Sequence, residues 1–268
     1  MTRYQYLSWT VADGIATVTM DRPPVNAVDQ AMYRELAAAF AEDSEIVREA
    51  KVIVLCSAAR HFCAGNDLVE FGTLGPENSD ARMAEVRAAF FAIQDCPIPV
   101  VGAVNGAALG TGLAIAASCD FVIAAEDARF GTPEVGVGIM GGARHLARLV
   151  PEPWVRWMYF TAEPVAAANL HALGSLIAVV PREELLATAQ EHARLIARHS
   201  GVVLRTAKHA LNGIETMDLQ PGYTFEQSLT TALSGDPDSL EARSATLEQR
   251  APRYPSEEQP EHAHGAHR

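Results

Sequence analysis

The chain has 268 residues, a formal net charge of −12, 49% hydrophobic residues and 20% charged residues. That length suits one large domain or two small ones and is enough to bury a full core. The acidic balance argues against sequence-independent nucleic-acid binding and against docking on an anionic membrane, since both need a basic face; it does not exclude a local pocket for an anionic small molecule.

In chain order, "MTRYQYLSWTVADG" lacks the apolar core of a signal peptide. "GIATVTM" (14–20) alternates and is rich in β-branched residues, which predicts a strand. "DRPPVNAVD" (21–29) reads as a loop. Asp29 is then placed to cap a helix with Met32, Leu36, Ala39 and Phe40 on one face. "KVIVLCS" (51–57) is a continuous apolar run, typical of a strand covered on both faces. "ARHFCAGNDL" (59–68) is a loop entering a turn. Residues 81–94 carry Met83, Val86, Phe90 and Ile93 at helical spacing. "PVVGAV" (99–104) and "DFVIAA" (120–125) predict two more buried strands, with a short helix between them and a late strand at "LIAVV" (176–180). This alternation predicts α/β architecture. Beyond Pro181 the pattern is helical, over 183–199, 202–213, 223–234 and 238–250. The closing polar stretch, 255–268, reads as a disordered tail, and its His262, His264 and His267 as solvated side chains. No run of about 20 apolar residues indicates a membrane span. Cys56, Cys63, Cys96 and Cys119 form no C-x-x-C pair and have apolar neighbours, which suits buried thiols in a reduced, cytoplasmic protein.

"GVGIMG" (136–141) matches G-x-G-x-x-G literally, but "RFGTPEV" precedes it where a dinucleotide site needs an apolar strand. No phosphate-cradling G-K-[ST], no G-x-S-x-G elbow and no H-E-x-x-H occurs, and no metal-ligand cluster is evident. Two glycine-flanked turns remain, "CAGND" (63–67) and "LGTGLA" (109–114). Each leaves N–H groups unpaired in the first turn of a helix. Two such groups aimed at one point make an oxyanion hole; the bland reading is that the glycines only permit tight turns. Glu134, in "FGTPEVGVG" (130–138), is a carboxylate in an apolar, glycine-rich run. It is either a proton-transfer group with a raised pKa or an ordinary loop glutamate.

These motifs, in this order, resemble the crotonase superfamily of enoyl-CoA hydratases and isomerases. The resemblance runs from "DRPPVNAVDQAMYREL" through "RHFCAGNDL" and "PIPVVGAVNGAALGTGLAIAASCDFVIAAEDARFGTPEVGVGIMGGARHLARLV" to "ALGSLIAVVPREEL", "VVLRTAKHALN" and "LEARSATLEQRAPRY", covering about residues 5–254. It implies an α/β spiral of ββα units over residues 1–195. It also implies a helical C-terminal trimerisation region over 196–254, in a homotrimer or a hexamer built as a dimer of trimers. The substrate implied is an acyl-CoA thioester, with coenzyme A belonging to the substrate rather than acting as a cofactor. Asn66 and Thr111 match the two oxyanion-hole positions and Glu134 the acid/base glutamate. Val25, Ala64, Asp67, Leu68, Gly110 and Pro133 match positions that line the CoA and acyl groups.

Two departures stand out. Family hydratases commonly carry another glutamate three residues after the oxyanion position in the glycine turn, and here that position is Ala114. A single glutamate is expected to serve isomerisation or hydration through an oxyanion-stabilised enolate. Hydratase-lyase or decarboxylase chemistry and a catalytically weak CoA-ester-binding paralogue are the alternatives. Thr111 also stands where glycine is usual, so its side chain is expected to narrow the acyl pocket or to hold a water. His61 and His145 lie near the motifs and read as structural histidines, Asp120 reads as a loop anchor, and Trp154 and Trp157 read as helix core or subunit contact.

Overall fold

Asp13 and Gly14, both at positive φ (53° and 72°), turn the chain between β1 (Leu7–Ala12) and β2 (Ile15–Met20). A two-residue loop of this handedness matches the twist of an antiparallel pair, and Ala12 faces Ile15 across it. The computed structural model describes residues 4–258. β1 is absent from the elements expected above, although the alternation in "LSWTVA" ahead of Asp-Gly is its signal.

Asp29 caps α1 (Gln30–Ala39) by accepting the Met32 N–H at 2.8 Å, and Met32, Leu36 and Ala39 are buried with Phe40 beyond them. A five-residue α2 (Glu45–Glu49), capped by Ser44, is too short to show a period. There follow β3 (Val52–Ser57), α3 (Leu68–Phe71), α4 (Ser79–Gln94), β4 (Val100–Val104), β5 (Ala107–Leu109), α5 (Thr111–Ser118), β6 (Phe121–Ala125) and β7 (Arg129–Gly131). A 3-10 turn (Pro133–Val137) leads to α6 (Ala143–Leu149), α7 (Glu152–Thr161), β8 (Val165–Ala166), α8 (Ala167–Ala172), β9 (Ala178–Val180) and α9 (Leu185–Ala197).

Among the described residues the strands form two sheets, ordered β1-β2-β3-β4-β6-β9 and β5-β7-β8. Every pairing from β2 outward in the larger sheet is parallel. β4, all but the last residue of β3 and all but the first residue of β6 are buried, as their apolar runs require. The pairing winds the chain into ββα turns. β4 lies in the large sheet, β5 in the small one, and α5 closes the turn; β6, β7 and α6 repeat it. β3 begins an abbreviated turn in which Cys63 alone takes the second-strand place by bridging Ala108, and α4 closes it. The spiral therefore repeats in the backbone although the sequence shows no internal repeat. Its core holds Met20, Met32, Leu36, Phe40, Phe62, Leu113 and Phe130, all fully buried. Each contributes roughly 1.5–3 kcal/mol relative to exposure.

The chain divides into two units between Ile196 and Ala197. The second unit is helical, with α10 (Gly201–Ile214), α11 (Leu219–Leu233), α12 (Pro237–Leu247) and α13 (Pro255–Glu258). α11 starts four residues before the expected position because Pro221 falls in its first turn, where no intrahelical N–H bond is needed. Buried Asp238 accepts the Ser200 hydroxyl (2.5 Å), the Ser256 N–H (3.0 Å) and the Ser256 hydroxyl (2.6 Å). α13 occupies the start of the stretch expected as tail; the rest of that stretch, 259–268 with its three histidines, lies outside the described residues. Among the described residues no helix is long and apolar enough to cross a membrane.

Candidate active site

Three segments leave successive turns of the spiral side by side, because the second strands of those turns pair with one another. The Cys63 N–H donates to Ala107 O (3.0 Å) and the Leu109 N–H to Cys63 O (3.0 Å), which joins the segment after β3 to β5. On its other side, the Ala64 N–H donates to Val25 O (3.1 Å), the Val28 N–H to Gly65 O (2.8 Å) and the Asp67 N–H to Val28 O (2.9 Å). The Asn66 N–H is passed over by this alternating pattern and has no acceptor among the described residues.

Thr111 is the first residue of α5, so its N–H is one of the orphan donors of a helix start, and it too has no acceptor among the described residues. The adjacent Gly110 N–H is taken by Gly131 O (2.9 Å), and Gly110 O accepts the Ala114 N–H (3.0 Å). Gly110 thus contributes closeness rather than a donor. Gly112 sets how near α5 comes to the 63–66 segment, since a Cβ there would lie 2.1 Å from Cys63 O. The Thr111 N–H stands at the positive end of the α5 dipole, and the segment that carries the Asn66 N–H lies against α5 at Gly112.

Glu134 follows β7 at the start of the 3-10 turn, three residues after the carbonyl that holds Gly110. It is 7% exposed, and its Oε2 is buried with no hydrogen-bond partner. Its Oε1 lies against Gly110 and Gly142, 3.3 and 3.1 Å from where side chains there would begin. Burial pushes its pKa above the ordinary glutamate range, with its own backbone N–H opposing the shift. Ala114 is 2% exposed and packed in the core, so no carboxylate faces Glu134 from that position.

A residue of this cluster that sequence reasoning missed is Tyr33. Its hydroxyl lies 2.6 Å from Asn66 Oδ1 and 2.8 Å from Thr111 Oγ1. The side chain of Thr111, expected to narrow the acyl pocket or hold a water, instead reaches this phenol. Tyr33 is adjacent to Met32 on the buried face of α1, which marks it as core; no local pattern reveals partners 33 and 78 residues away.

The remaining expected residues flank this arrangement. Asp67 caps α3, accepting the Val69 and Glu70 N–H groups (3.0 and 3.1 Å), and pairs with Arg22 at 2.7 Å, whose hydrogen bond holds its pKa down. Arg22 also donates to Ala27 O (2.7 Å) and lies 3.2 Å from Asp29. With the Ala64 and Asp67 N–H groups engaged, the backbone groups of 64–68 without a hydrogen bond among the described residues are Ala64 C=O, the Gly65 N–H, the Asn66 N–H and C=O, and the Leu68 N–H. The Leu68 side chain is 73% exposed, Val25 is half-buried beside Ala64, and Pro133 packs against Gly110. His61 accepts the Ala107 N–H on Nδ1 (3.0 Å) and so pins β5. His145 packs edge-on against Phe90 with centroids 5.0 Å apart, and burial holds its pKa down. Asp120 accepts the Val100 N–H (2.6 Å) as a loop anchor. Trp154 and Trp157 pack edge to face on α7, with Trp157 half exposed. The glycines of "GVGIMG" link the 3-10 turn to α6 and form no strand–loop–helix unit.

The family described as enoyl-CoA hydratase/isomerase matches the chain over residues 10–257. A (7aS)-7a-methyl-1,5-dioxo-2,3,5,6,7,7a-hexahydro-1H-indene-carboxyl-CoA hydrolase of Rhodococcus jostii is 41% identical, over 92% of this chain and 95% of that protein. A 2,3-dehydroadipyl-CoA hydratase of Escherichia coli is 35% identical, over 90% and 94%. Among solved structures, an enoyl-CoA hydratase of Mycobacterium smegmatis superposes with a TM-score of 0.87 at 29% identity, over 93% of this chain and 98% of that one.

Proposed function

From the premise that this chain belongs to the enoyl-CoA hydratase/isomerase family of the crotonase superfamily, we propose that it is an acyl-CoA enzyme that uses water, with Glu134 as its single acid/base. The observation that carries the reading is Glu134 itself: a buried carboxylate with an unpartnered oxygen, packed against the turn that presents the Thr111 N–H. The thioester oxygen accepts the Asn66 and Thr111 N–H groups. Negative charge moves onto that oxygen as an enolate forms, and one donor of this kind is worth roughly 3–4 kcal/mol in the transition state. In hydration, Glu134 takes a proton from water as its oxygen bonds to C3, then returns that proton to C2. In hydrolysis of a dioxo CoA ester, the water oxygen bonds to a ring ketone carbon as Glu134 takes its proton, the C–C bond from that carbon breaks with its electron pair passing into the enolate, and Glu134 returns the proton to the released carbon, leaving a carboxylic acid on the other side. The adenine end is assigned to Ala64 C=O and the Leu68 N–H. Asp67, with Arg22, holds that segment, and Val25, Gly110 and Pro133 line the path to the thioester. The helical C-terminal unit is assigned to assembly as a homotrimer or a dimer of trimers.

The curated relatives named above are a hydrolase and a hydratase, which favours water as co-substrate. Ala114 favours a second reading, isomerisation, because moving a proton from C2 to C4 needs only one carboxylate. Incubation with 2-enoyl-, 3-enoyl- and cyclic dioxo-carboxyl-CoA esters in ¹⁸O-water separates the two. Label in the product supports the first reading. Unlabelled 2-enoyl-CoA formed from the 3-enoyl ester supports the second, and no turnover of any ester contradicts both.

A further inference from the structure

We infer that Tyr33 is a positioning residue of this site, tying together the two residues whose backbone N–H groups receive the thioester oxygen; the inference rests on the oxyanion reading of Asn66 and Thr111.

The phenol is 3% exposed, and its ring is held edge-on by Phe90 at 6.0 Å between centroids, so the hydroxyl has a fixed place. A phenol has one proton. At 2.6 Å its contact with the Asn66 carboxamide oxygen has the length of an O–H···O bond, so Tyr33 donates there. Thr111 then donates its own hydroxyl proton to the Tyr33 oxygen at 2.8 Å. The order is Thr111 to Tyr33 to Asn66, and every proton is placed. Burial raises the phenol's pKa, which keeps it in this protonated form.

The tie spans three separate elements. Asn66 follows Gly65 in the segment after β3, and Thr111 follows Gly110 at the start of α5; both glycines are at positive φ. Flexible residues on the entry side of each N–H leave the separation of the two donors to whatever fixes the residues themselves. Tyr33, from α1, grips both by their side chains. The polar side chain of Thr111 is what makes the grip available, which accounts for threonine at a position where an N–H alone would serve.

Tyr33→Phe removes one oxygen and keeps the ring. The expected result is a fall in kcat of roughly 10–100-fold with KM changed less than about twofold. Hydrogen exchange in the ligand-free protein should quicken over residues 63–68 and 110–115. Thr111→Val should lower kcat similarly, and the double variant should fall no further than the worse single. A purely structural tyrosine would lower Tm while leaving kcat per folded molecule and the local exchange unchanged, and that result overturns the inference. If Tyr33→Phe matches wild type in kcat and exchange while Glu134→Gln is inactive, the inference fails and the proposed function stands. If Glu134→Gln turns over the CoA esters as well as wild type, the proposed function fails. Exchange then decides the tie by itself, with quickened exchange supporting it and unchanged exchange overturning it.

Discussion

Gly112→Ala adds one methyl group at the closest approach between two turns of the spiral. Its Cβ would lie 2.1 Å from Cys63 O and 2.9 Å from Cys63 Cβ and C. An ordinary carbon–oxygen contact is more than 1 Å longer, and the atoms met are mainly backbone, so no rotamer change relieves the clash. α5 is buried along its whole length and cannot move outward without opening the core. Overpacking of this kind typically costs 1–3 kcal/mol, and backbone against backbone puts this site at the upper end, about 3 kcal/mol. For a chain of this size that is a drop in Tm of roughly 6–12 °C. The same displacement separates the Thr111 N–H from the Asn66 N–H, and a shift near 1 Å costs on the order of 100-fold in rate. Differential scanning fluorimetry and steady-state kinetics on one preparation measure both. A Gly112→Ala protein with wild-type Tm and kcat would refute the claim that this glycine sets how near α5 comes to the 63–66 segment.

Other outcomes follow from the charges. Glu134 must be ionised to accept a proton, so kcat/KM should rise with pH through a value above the ordinary glutamate range, and a limb at or below about 4.3 would contradict the burial argument. Because burial holds the folded pKa above the unfolded one, ionising Glu134 costs the folded state. Its contribution is most favourable below about 4.3 and declines as pH rises through the folded pKa. Glu134→Gln should therefore gain in Tm over wild type between pH 4 and 8, and a constant difference would contradict this. Arg22 holds Asp67 with its pKa lowered, so the pair stabilises above about pH 4 and loses that stabilisation below it. Arg22→Gln should cost roughly 1 kcal/mol at pH 7 and less at pH 3, by chemical denaturation. It should also raise the Kd for CoA esters, and an unchanged Kd would remove Arg22 from the support of the 64–68 segment.

Much of the architecture was legible because it is written locally. Apolar runs gave β3, β4 and β6, and the Asp29 cap with Met32 and Leu36 gave α1. What escaped was short or depended on partners. β5, β7 and β8 have two or three residues each, too few for a period, yet they bring the site segments together. Cys63 acts as a one-residue strand solely through Ala108. Glu134 and the two N–H donors were visible through resemblance and through their glycine surroundings. The burial that raises the Glu134 pKa comes from Gly110, Gly142 and the packing around them, which no single segment reveals. Tyr33 was invisible because α1 gives it the face of a core residue, while its two hydrogen bonds reach distant turns.

In the proposed acyl-CoA reaction one carboxylate, Glu134, carries the proton. Turnover and CoA-ester binding, compared between Glu134→Gln and wild type, separate this role from a purely binding one. The kcat of Glu134→Gln should fall roughly 100–10,000-fold, with Kd for the ester, measured by calorimetry, within about threefold of wild type. A Glu134→Gln enzyme that keeps full kcat on the ester wild type turns over would contradict that role.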